Sequence, residues 1–161
     1  MKTTPLVAFA AILILPLAAQ ADHLTMPADT PASYKTECGS CHLAFPPALL
    51  SAADWHLVMT QLAKHYGDNA TLDGKTRQQI EDFLVRGAGT RWRLAGAGSP
   101  PRLTATYWFQ RKHDEIDAAV WRDKRVGSAS NCVACHPGAD NSRYSERDLT
   151  VPGYGRRRDH D

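Results

Sequence analysis

The sequence predicts a mainly α-helical protein built from two small domains. Apolar residues recur at helical spacing in three separate stretches of the chain. A segment containing several Gly and Pro residues, 87–106, divides the chain and has little predicted regular structure. Each part contains one pentapeptide Cys-x-x-Cys-His, and the two copies use all four cysteines of the 161-residue chain. The length fits two domains, residues 22–89 and residues 90–161.

Residues 1–21 are predicted to form a secretory signal peptide. Lys2 supplies the positive charge, residues 6–17 the apolar run, and Ala19-Gln20-Ala21 a cleavage site of small residues. A retained membrane anchor is the alternative. However, Pro16 interrupts the apolar run, which is also short for a span of about 20 residues. We therefore expect cleavage and export to the periplasm.

The charge balance argues against one class of function. The formal net charge is +2 at pH 7, and loss of the signal peptide removes one positive charge, Lys2. A chain this close to neutral lacks the basic composition of a nucleic-acid-binding domain. We expect no nucleic-acid partner.

The two pentapeptides are Cys38-Gly39-Ser40-Cys41-His42 and Cys132-Val133-Ala134-Cys135-His136. Cys-x-x-Cys-His is the attachment sequence of a c-type haem. Thiols three residues apart lie on one side of a helix, where each can form a thioether bond with a vinyl group of one porphyrin. The following histidine, His42 or His136, then takes one axial position on the iron. The sequence therefore predicts two covalently bound haem c groups, attached through Cys38, Cys41, Cys132 and Cys135.

Two other uses of paired cysteines are less consistent with this pattern. A zinc ribbon also uses two Cys-x-x-Cys pairs, but it does not need a histidine directly after both second cysteines. A set of disulfides is conceivable in an exported chain. The histidine that follows both pairs favours haem over either alternative.

The first motif is predicted to lie on a short helix, residues 34–42, which ends before the prolines that follow Phe45. A second helix is predicted over residues 51–66, because Ser51 and Asp54 form a helix-start signal. Its apolar face consists of Trp55, Val58, Met59, Leu62 and Tyr66.

A third helix is predicted over residues 73–86, ending at Gly87. Its apolar face consists of Ile80, Phe83 and Leu84. A motif-bearing helix, a loop and two further helices resemble a small class I cytochrome c domain, which we expect for residues 22–89.

The second predicted helix also offers a second axial ligand for the first iron. On a helical wheel, His65 falls about 20° from Val58 and so borders the apolar stripe. His56 points away from that stripe, and Met59 lies at its centre, where a core methionine is usual. His65 is the preferred candidate, with Met59 and His56 as alternatives.

The second part of the chain is expected to be irregular around its motif. The apolar run at residues 103–109 is predicted to be extended, with Trp108 and Phe109 covering a haem face. A helix is predicted over residues 111–121, where His113 shares a face with Ile116, Val120 and Trp121.

His113 is the nearest histidine upstream of the second motif, and it is the preferred second ligand for that iron, with His160 in the polar tail as the alternative. A short helix bearing the motif is predicted, capped by Ser130-Asn131 and ended by Pro137-Gly138. The candidate ligand follows the motif in the first part and precedes it in the second. The two parts are therefore not copies of one module.

Together these residues resemble the bacterial dihaem cytochrome c family. The matching segments are residues 37–42, 62–70, 101–104, 112–116 and 130–136. The resemblance implies two histidines on each iron, with His65 and His113 as the distal ligands. It also implies a class I-like N-terminal haem domain and an irregular C-terminal one. Finally, it implies electron donation to a small oxygen-binding monohaem cytochrome c, with a membrane b-type cytochrome as the source.

With two imidazoles on each iron, no coordination position is open to a substrate. The predicted function is therefore the transfer of single electrons at low potential, not catalysis. One alternative is a haem enzyme or gas-binding protein with one five-coordinate iron. Another is a dihaem subunit of a larger periplasmic reductase.

Overall fold

The computed structural model describes residues 24–90 and 92–156. The predicted signal peptide and His160 lie outside these residues. Within them, five α-helices follow in chain order: α1 (Ala32–Gly39), α2 (Ala52–Thr60), α3 (Gly74–Arg86), α4 (Tyr107–Lys112) and α5 (Ala118–Trp121). A two-stranded antiparallel ribbon, β1 (Thr150–Val151) and β2 (Gly155–Arg156), follows near the C-terminus. The prediction of a mainly α-helical protein is confirmed.

Helix α1 is shorter than the predicted helix over residues 34–42. It ends at Gly39, so Cys38 lies in its last turn while Cys41 and His42 follow in a turn. Tyr34 anchors the helix, because its ring is buried against Phe83 with the centroids 5.2 Å apart. Its hydroxyl donates to the carbonyl oxygen of Phe45 at 2.6 Å. This bond ties the loop after the motif back to the helix that bears it.

Helix α2 begins where the sequence predicts. The Ser51 hydroxyl oxygen accepts from the Asp54 backbone N–H at 3.2 Å, and the hydroxyl donates to the Asp54 carboxylate at 2.6 Å. The first of these bonds satisfies a backbone N–H group that a helix N-terminus leaves unpaired, and the second holds the capping side chain in place.

The predicted end of α2 near residue 66 is wrong, because the helix stops at Thr60. The next residues form a 3₁₀ helix, Leu62–Lys64, and then a tight turn in which the His65 N–H donates to the Asp68 carbonyl oxygen at 2.8 Å. Tyr66 and Gly67 have positive φ angles of 52° and 112°. Hydrogen bonds within this turn therefore replace those of a further helical turn.

Helix α3 agrees with its prediction. The Asp73 carboxylate accepts from the N–H groups of Lys75 and Thr76 at 3.0 and 3.1 Å, and the Gly87 N–H closes the helix on the Phe83 carbonyl oxygen. The buried face of α3 packs on α2 and α1. The resulting core contains Tyr34, Leu49, Leu50, Trp55, Met59, Leu62, Ile80, Phe83, Leu84, Ala97, Leu103 and Phe109.

The same core includes residues from the segment 87–106, for which the sequence predicts little regular structure. Ala97 and Leu103 from this segment are buried in the same cluster as Phe83, and the Gly89 N–H donates to the Leu50 carbonyl oxygen at 2.9 Å. The segment also contains two 3₁₀ helices, Trp92–Leu94 and Leu103–Ala105. The segment therefore packs against the N-terminal core at Gly89, Ala97 and Leu103.

Both predictions for residues 103–121 are wrong. The run predicted to be extended forms a 3₁₀ helix followed by α4. The single helix predicted over residues 111–121 is divided into the end of α4 and the short α5. The reason lies in two capping residues. The buried Thr106 side chain accepts from the Phe109 N–H and starts α4, and the Asp117 side chain accepts from the Ala119 N–H and starts α5.

The second motif lies on a 3₁₀ helix, Cys132–Ala134, and not on an α-helix. The predicted side-chain cap is also absent, because the Asn131 side chain instead donates to the Val126 carbonyl oxygen at 2.9 Å. Strand β1 fixes the motif from the other side through the Thr150 N–H, which donates to the Cys135 carbonyl oxygen at 2.9 Å. No helix in the described part of the chain is long and apolar enough to cross a bilayer.

Candidate haem sites

His42 and His65 face each other across the first motif. Their ring centroids are 6.1 Å apart, and the ring planes differ by 18°. The turn after α1 carries His42, and the tight turn after α2 carries His65. The Nδ1 atom of His42 lies 2.7 Å from the Leu43 carbonyl oxygen, a contact in which Nδ1 donates and Nε2 remains free to bind a metal.

Aromatic rings hold both imidazoles in place. Phe45 stacks on His42 with the centroids 4.9 Å apart. Tyr66 meets His65 edge-on at 4.8 Å. The sequence indicates Phe45 only as a residue at a helix end. Its stacking on His42 depends on how the loop after α1 folds back over the motif.

The two alternatives to His65 have other contacts. Met59 is 2% exposed and belongs to the core, as expected for a methionine at the centre of an apolar face. The side chain of His56 is 61% exposed, and its Nδ1 lies 2.5 Å from the Glu81 carboxylate. Of the three candidates, His65 is the one whose ring faces His42.

His113 and His136 face each other across the second motif. Their ring centroids are 6.3 Å apart, and the planes differ by 85°. The Nδ1 atom of His113 lies 2.8 Å from the Phe109 carbonyl oxygen, one helical turn back along α4. Phe109 also stacks on His113 at 4.0 Å, and Trp121 from α5 lies 5.9 Å from it. The break between α4 and α5 therefore encloses His113 between two aromatic residues.

The spacing of both pairs fits one iron held between two imidazoles. An imidazole nitrogen binds a transition-metal ion at about 2.0–2.1 Å, and the ring centre lies about 1 Å behind that nitrogen. Two rings on opposite sides of one metal ion therefore have their centres roughly 6 Å apart. The observed separations of 6.1 and 6.3 Å match this value.

A buried hydroxyl beside the second motif also fits a prosthetic group. Among the described residues, the Nδ1 of His136 and the hydroxyl of Tyr144 are buried without a hydrogen-bond partner. The two rings are 5.7 Å apart. Because buried polar groups are nearly always paired, the Tyr144 hydroxyl suits a polar group of a bound ligand, such as a haem propionate. Tyr144 was missed by the sequence reasoning, since no motif distinguishes it from its polar neighbours.

The electrostatics of these sites favour neutral side chains. Burial lowers the pKa of His65, His113 and His136, so each imidazole stays neutral, which is the form that binds a metal. Burial also raises the pKa of Cys38 and of Cys132 to about 11.

The other uses of the cysteines have less support. All four are unpaired thiols in the described residues. In the same part of the chain, no three His, Cys, Asp or Glu side chains come together as a zinc site requires.

A mainly helical chain with two Cys-x-x-Cys-His motifs, each beside a facing pair of histidines, defines a c-type cytochrome with two haems. A family model for dihaem cytochrome c matches residues 34–144. The chain belongs to the dihaem cytochrome c family, and two haem c groups are its cofactors.

Solved structures agree with this assignment. The chain is 38% identical to a dihaem cytochrome c from Shewanella baltica OS155, with a TM-score of 0.69, and the match covers 79% of this chain and 98% of that one. It is 40% identical to DHC from Rhodobacter sphaeroides, with a TM-score of 0.61 and coverage of 71% and 97%. Comparison with curated protein sequences finds no match.

Proposed function

We propose that this protein carries single electrons between redox partners through two haems that each have two histidine ligands. His42 and His65 would bind one iron, and His136 and His113 the other. Cys38, Cys41, Cys132 and Cys135 would form the thioether bonds. The observation that carries the proposal is the separation of the two imidazole pairs, 6.1 and 6.3 Å between ring centroids.

Haem iron supplies one-electron redox chemistry. The chain would contribute two imidazoles to each iron, which would leave no coordination position for a substrate. Backbone carbonyl oxygens accept from the Nδ1–H of His42 and of His113, which leaves Nε2 of each ring free to bind a metal. Two imidazoles, without a methionine thioether, favour the ferric state, so both potentials should be low.

The proposal places the protein in the periplasm, after removal of residues 1–21. It divides the remaining chain into an N-terminal haem domain, residues 22–89, and a C-terminal haem domain, residues 90–161. The family resemblance suggests two redox partners, a small oxygen-binding monohaem cytochrome c and a membrane b-type cytochrome. On this proposal the protein is an electron carrier and not an enzyme.

Carbon monoxide distinguishes a carrier from a haem enzyme or gas-binding protein with an open iron. The purified protein is reduced with dithionite, its two haems per chain are verified by pyridine haemochrome, and the spectrum is recorded with and without carbon monoxide. We expect little change, together with low potentials for both haems in a redox titration. Rapid binding of one carbon monoxide per chain, or a strongly positive potential at either haem, would contradict the proposal.

Membership of a larger periplasmic reductase makes a different prediction. Such a subunit would be purified in a complex with its catalytic partner. Size-exclusion chromatography of the protein from periplasmic extract, followed by haem staining, separates the two possibilities.

A further inference from the structure

Two large aromatic side chains lie together on the surface. Trp92 is 71% exposed and Tyr107 is 47% exposed, and their ring centroids are 5.3 Å apart. The Tyr107 N–H donates to the Ala95 carbonyl oxygen at 3.0 Å, which fixes the start of α4 beside the turn after Trp92. Tryptophan is normally well buried, so an exposed Trp–Tyr pair held by the backbone indicates a contact surface.

The exposed Trp92–Tyr107 pair is separate from the aromatic residues that enclose His113. Tyr107 and Phe109 are two residues apart on α4, so their side chains point about 160° apart around the helix axis. Phe109 is buried and stacks on His113 at 4.0 Å. Tyr107 therefore faces the side of α4 opposite to the second candidate haem site.

The surrounding sequence is strongly basic, although the whole chain is nearly neutral. Residues 86–112 contain no Asp or Glu but six basic residues: Arg86, Arg91, Arg93, Arg102, Arg111 and Lys112. Carboxylates outside this segment pair with its two ends, Asp29 with Arg86 at 3.7 Å and Asp114 with Arg111 at 2.7 Å. In the middle, the exposed Arg102 lies over the ring of Tyr66 at 4.6 Å.

The segment contacts the neighbours of both candidate distal histidines. Tyr66, which carries Arg102 on its face, meets His65 edge-on at 4.8 Å and donates its hydroxyl to the Pro101 carbonyl oxygen. At the other end, α4 leads directly into His113. A molecule bound over Tyr66 and Arg102 would therefore lie near the first candidate haem site.

We propose that Trp92, Tyr107, Tyr66 and Arg102 form the docking site for an acidic face of a redox protein. Trp, Tyr and Arg are the residues most enriched at the centres of protein interfaces, and a segment with basic residues alone selects a partner of opposite charge. A bilayer is a poorer occupant, because the aliphatic side chains that would insert, Leu94 and Leu103, are buried at 7% and 8% exposure. This inference rests on the proposed electron-transfer function.

The test measures electron transfer from the reduced holoprotein to the soluble domain of cytochrome b5, used as an acidic haem protein probe. Stopped-flow rates are compared for wild type, Trp92→Ala, the double variant Trp92→Ala/Tyr107→Ala, and Tyr154→Ala. The last is the matched control, because Tyr154 is 69% exposed and lies outside this surface. We expect the double variant to lose about tenfold in second-order rate at low salt, and the control to match wild type. Arg102→Gln should flatten the dependence of the rate on ionic strength.

Two further measurements distinguish a loss of docking from a change at the haems. Uncharged benzoquinone should oxidise all variants at one rate, with unchanged haem spectra and potentials, because it needs no docking. Equal rates of the double variant and Tyr154→Ala toward the cytochrome b5 domain would overturn the proposal. A shifted haem potential in Trp92→Ala would also overturn it. So would sedimentation of wild type, but not of the double variant, with phosphatidylglycerol vesicles, because the surface would then bind lipid. Failure of the proposed function itself would appear in wild type, as carbon monoxide binding or as no reaction with benzoquinone.

Discussion

The rings of His42 and His65 lie nearly parallel, with 18° between their planes, whereas those of His113 and His136 lie nearly perpendicular, at 85°. Both pairs have almost the same separation. The difference in angle follows from local structure. His42 and His65 lie on two turns at the ends of α1 and α2, while Phe109 sets the ring of His113 by stacking on it from within α4.

These angles predict two different electron paramagnetic resonance signals. Parallel imidazoles separate the energies of two iron d orbitals and give a rhombic low-spin spectrum. Perpendicular imidazoles leave those orbitals nearly equal in energy and give a strongly anisotropic spectrum with one dominant low-field feature. We expect both signals, in equal amounts, from the fully oxidised protein at low temperature. Two identical rhombic signals would contradict the perpendicular arrangement at the second site.

Substitution His65→Met tests the first pair. A thioether in place of an imidazole favours the ferrous state. We expect one haem potential to rise by roughly a tenth of a volt or more, within the span of about 0.8 V that axial ligands control. The other potential should remain nearly unchanged in a spectroelectrochemical titration. His56→Met is the matched control, since His56 is exposed and contacts Glu81. A shift in the control and not in His65→Met would assign the ligand to His56.

Substitution His113→Ala tests the second pair. On the proposed ligation, removal of this imidazole would leave an open coordination position beside the buried Phe109 and the half-buried Trp121. The reduced variant should therefore bind about one carbon monoxide per chain, visible as a shift of part of the Soret band. His56→Ala should bind no more than wild type. A His113→Ala variant with wild-type spectra and no carbon monoxide binding would show that another side chain fills this position.

Gly89 provides a test of how the irregular segment packs on the helices. A Cβ atom there would lie 2.5 Å from the Ala48 carbonyl oxygen and would also overlap the Leu94 side chain. Gly89→Ala should therefore lower stability by about 1–3 kcal/mol and lower the melting temperature of the holoprotein by several degrees.

Gly74→Ala is the control for Gly89→Ala, because nothing lies within 4 Å of a Cβ at that position. Its melting temperature should equal or slightly exceed that of wild type, since alanine also favours helix α3. Equal melting temperatures for the two variants, measured by circular dichroism, would mean that the segment moves away from Ala48 at little cost.

Much of the chemistry of this protein is readable from short-range sequence patterns. The Cys-x-x-Cys-His motifs predicted a dihaem c-type cytochrome, which the family match confirms. Ser51 predicted the start of α2, because a capping side chain bonds to backbone groups only two or three residues away. Such interactions do not depend on residues in distant parts of the chain.

The tertiary structure decided the features that depend on residues far apart in the chain. The sequence placed His65 on a helical wheel, but α2 ends before it, and a turn brings its ring opposite His42. The sequence likewise predicted one helix through His113, whereas the chain breaks there and Phe109 and Trp121 enclose the ring. Helical periodicity describes a residue's place on its own helix alone. The position of each imidazole depends on how turns, caps and packed rings from several segments meet, and no local pattern records that arrangement.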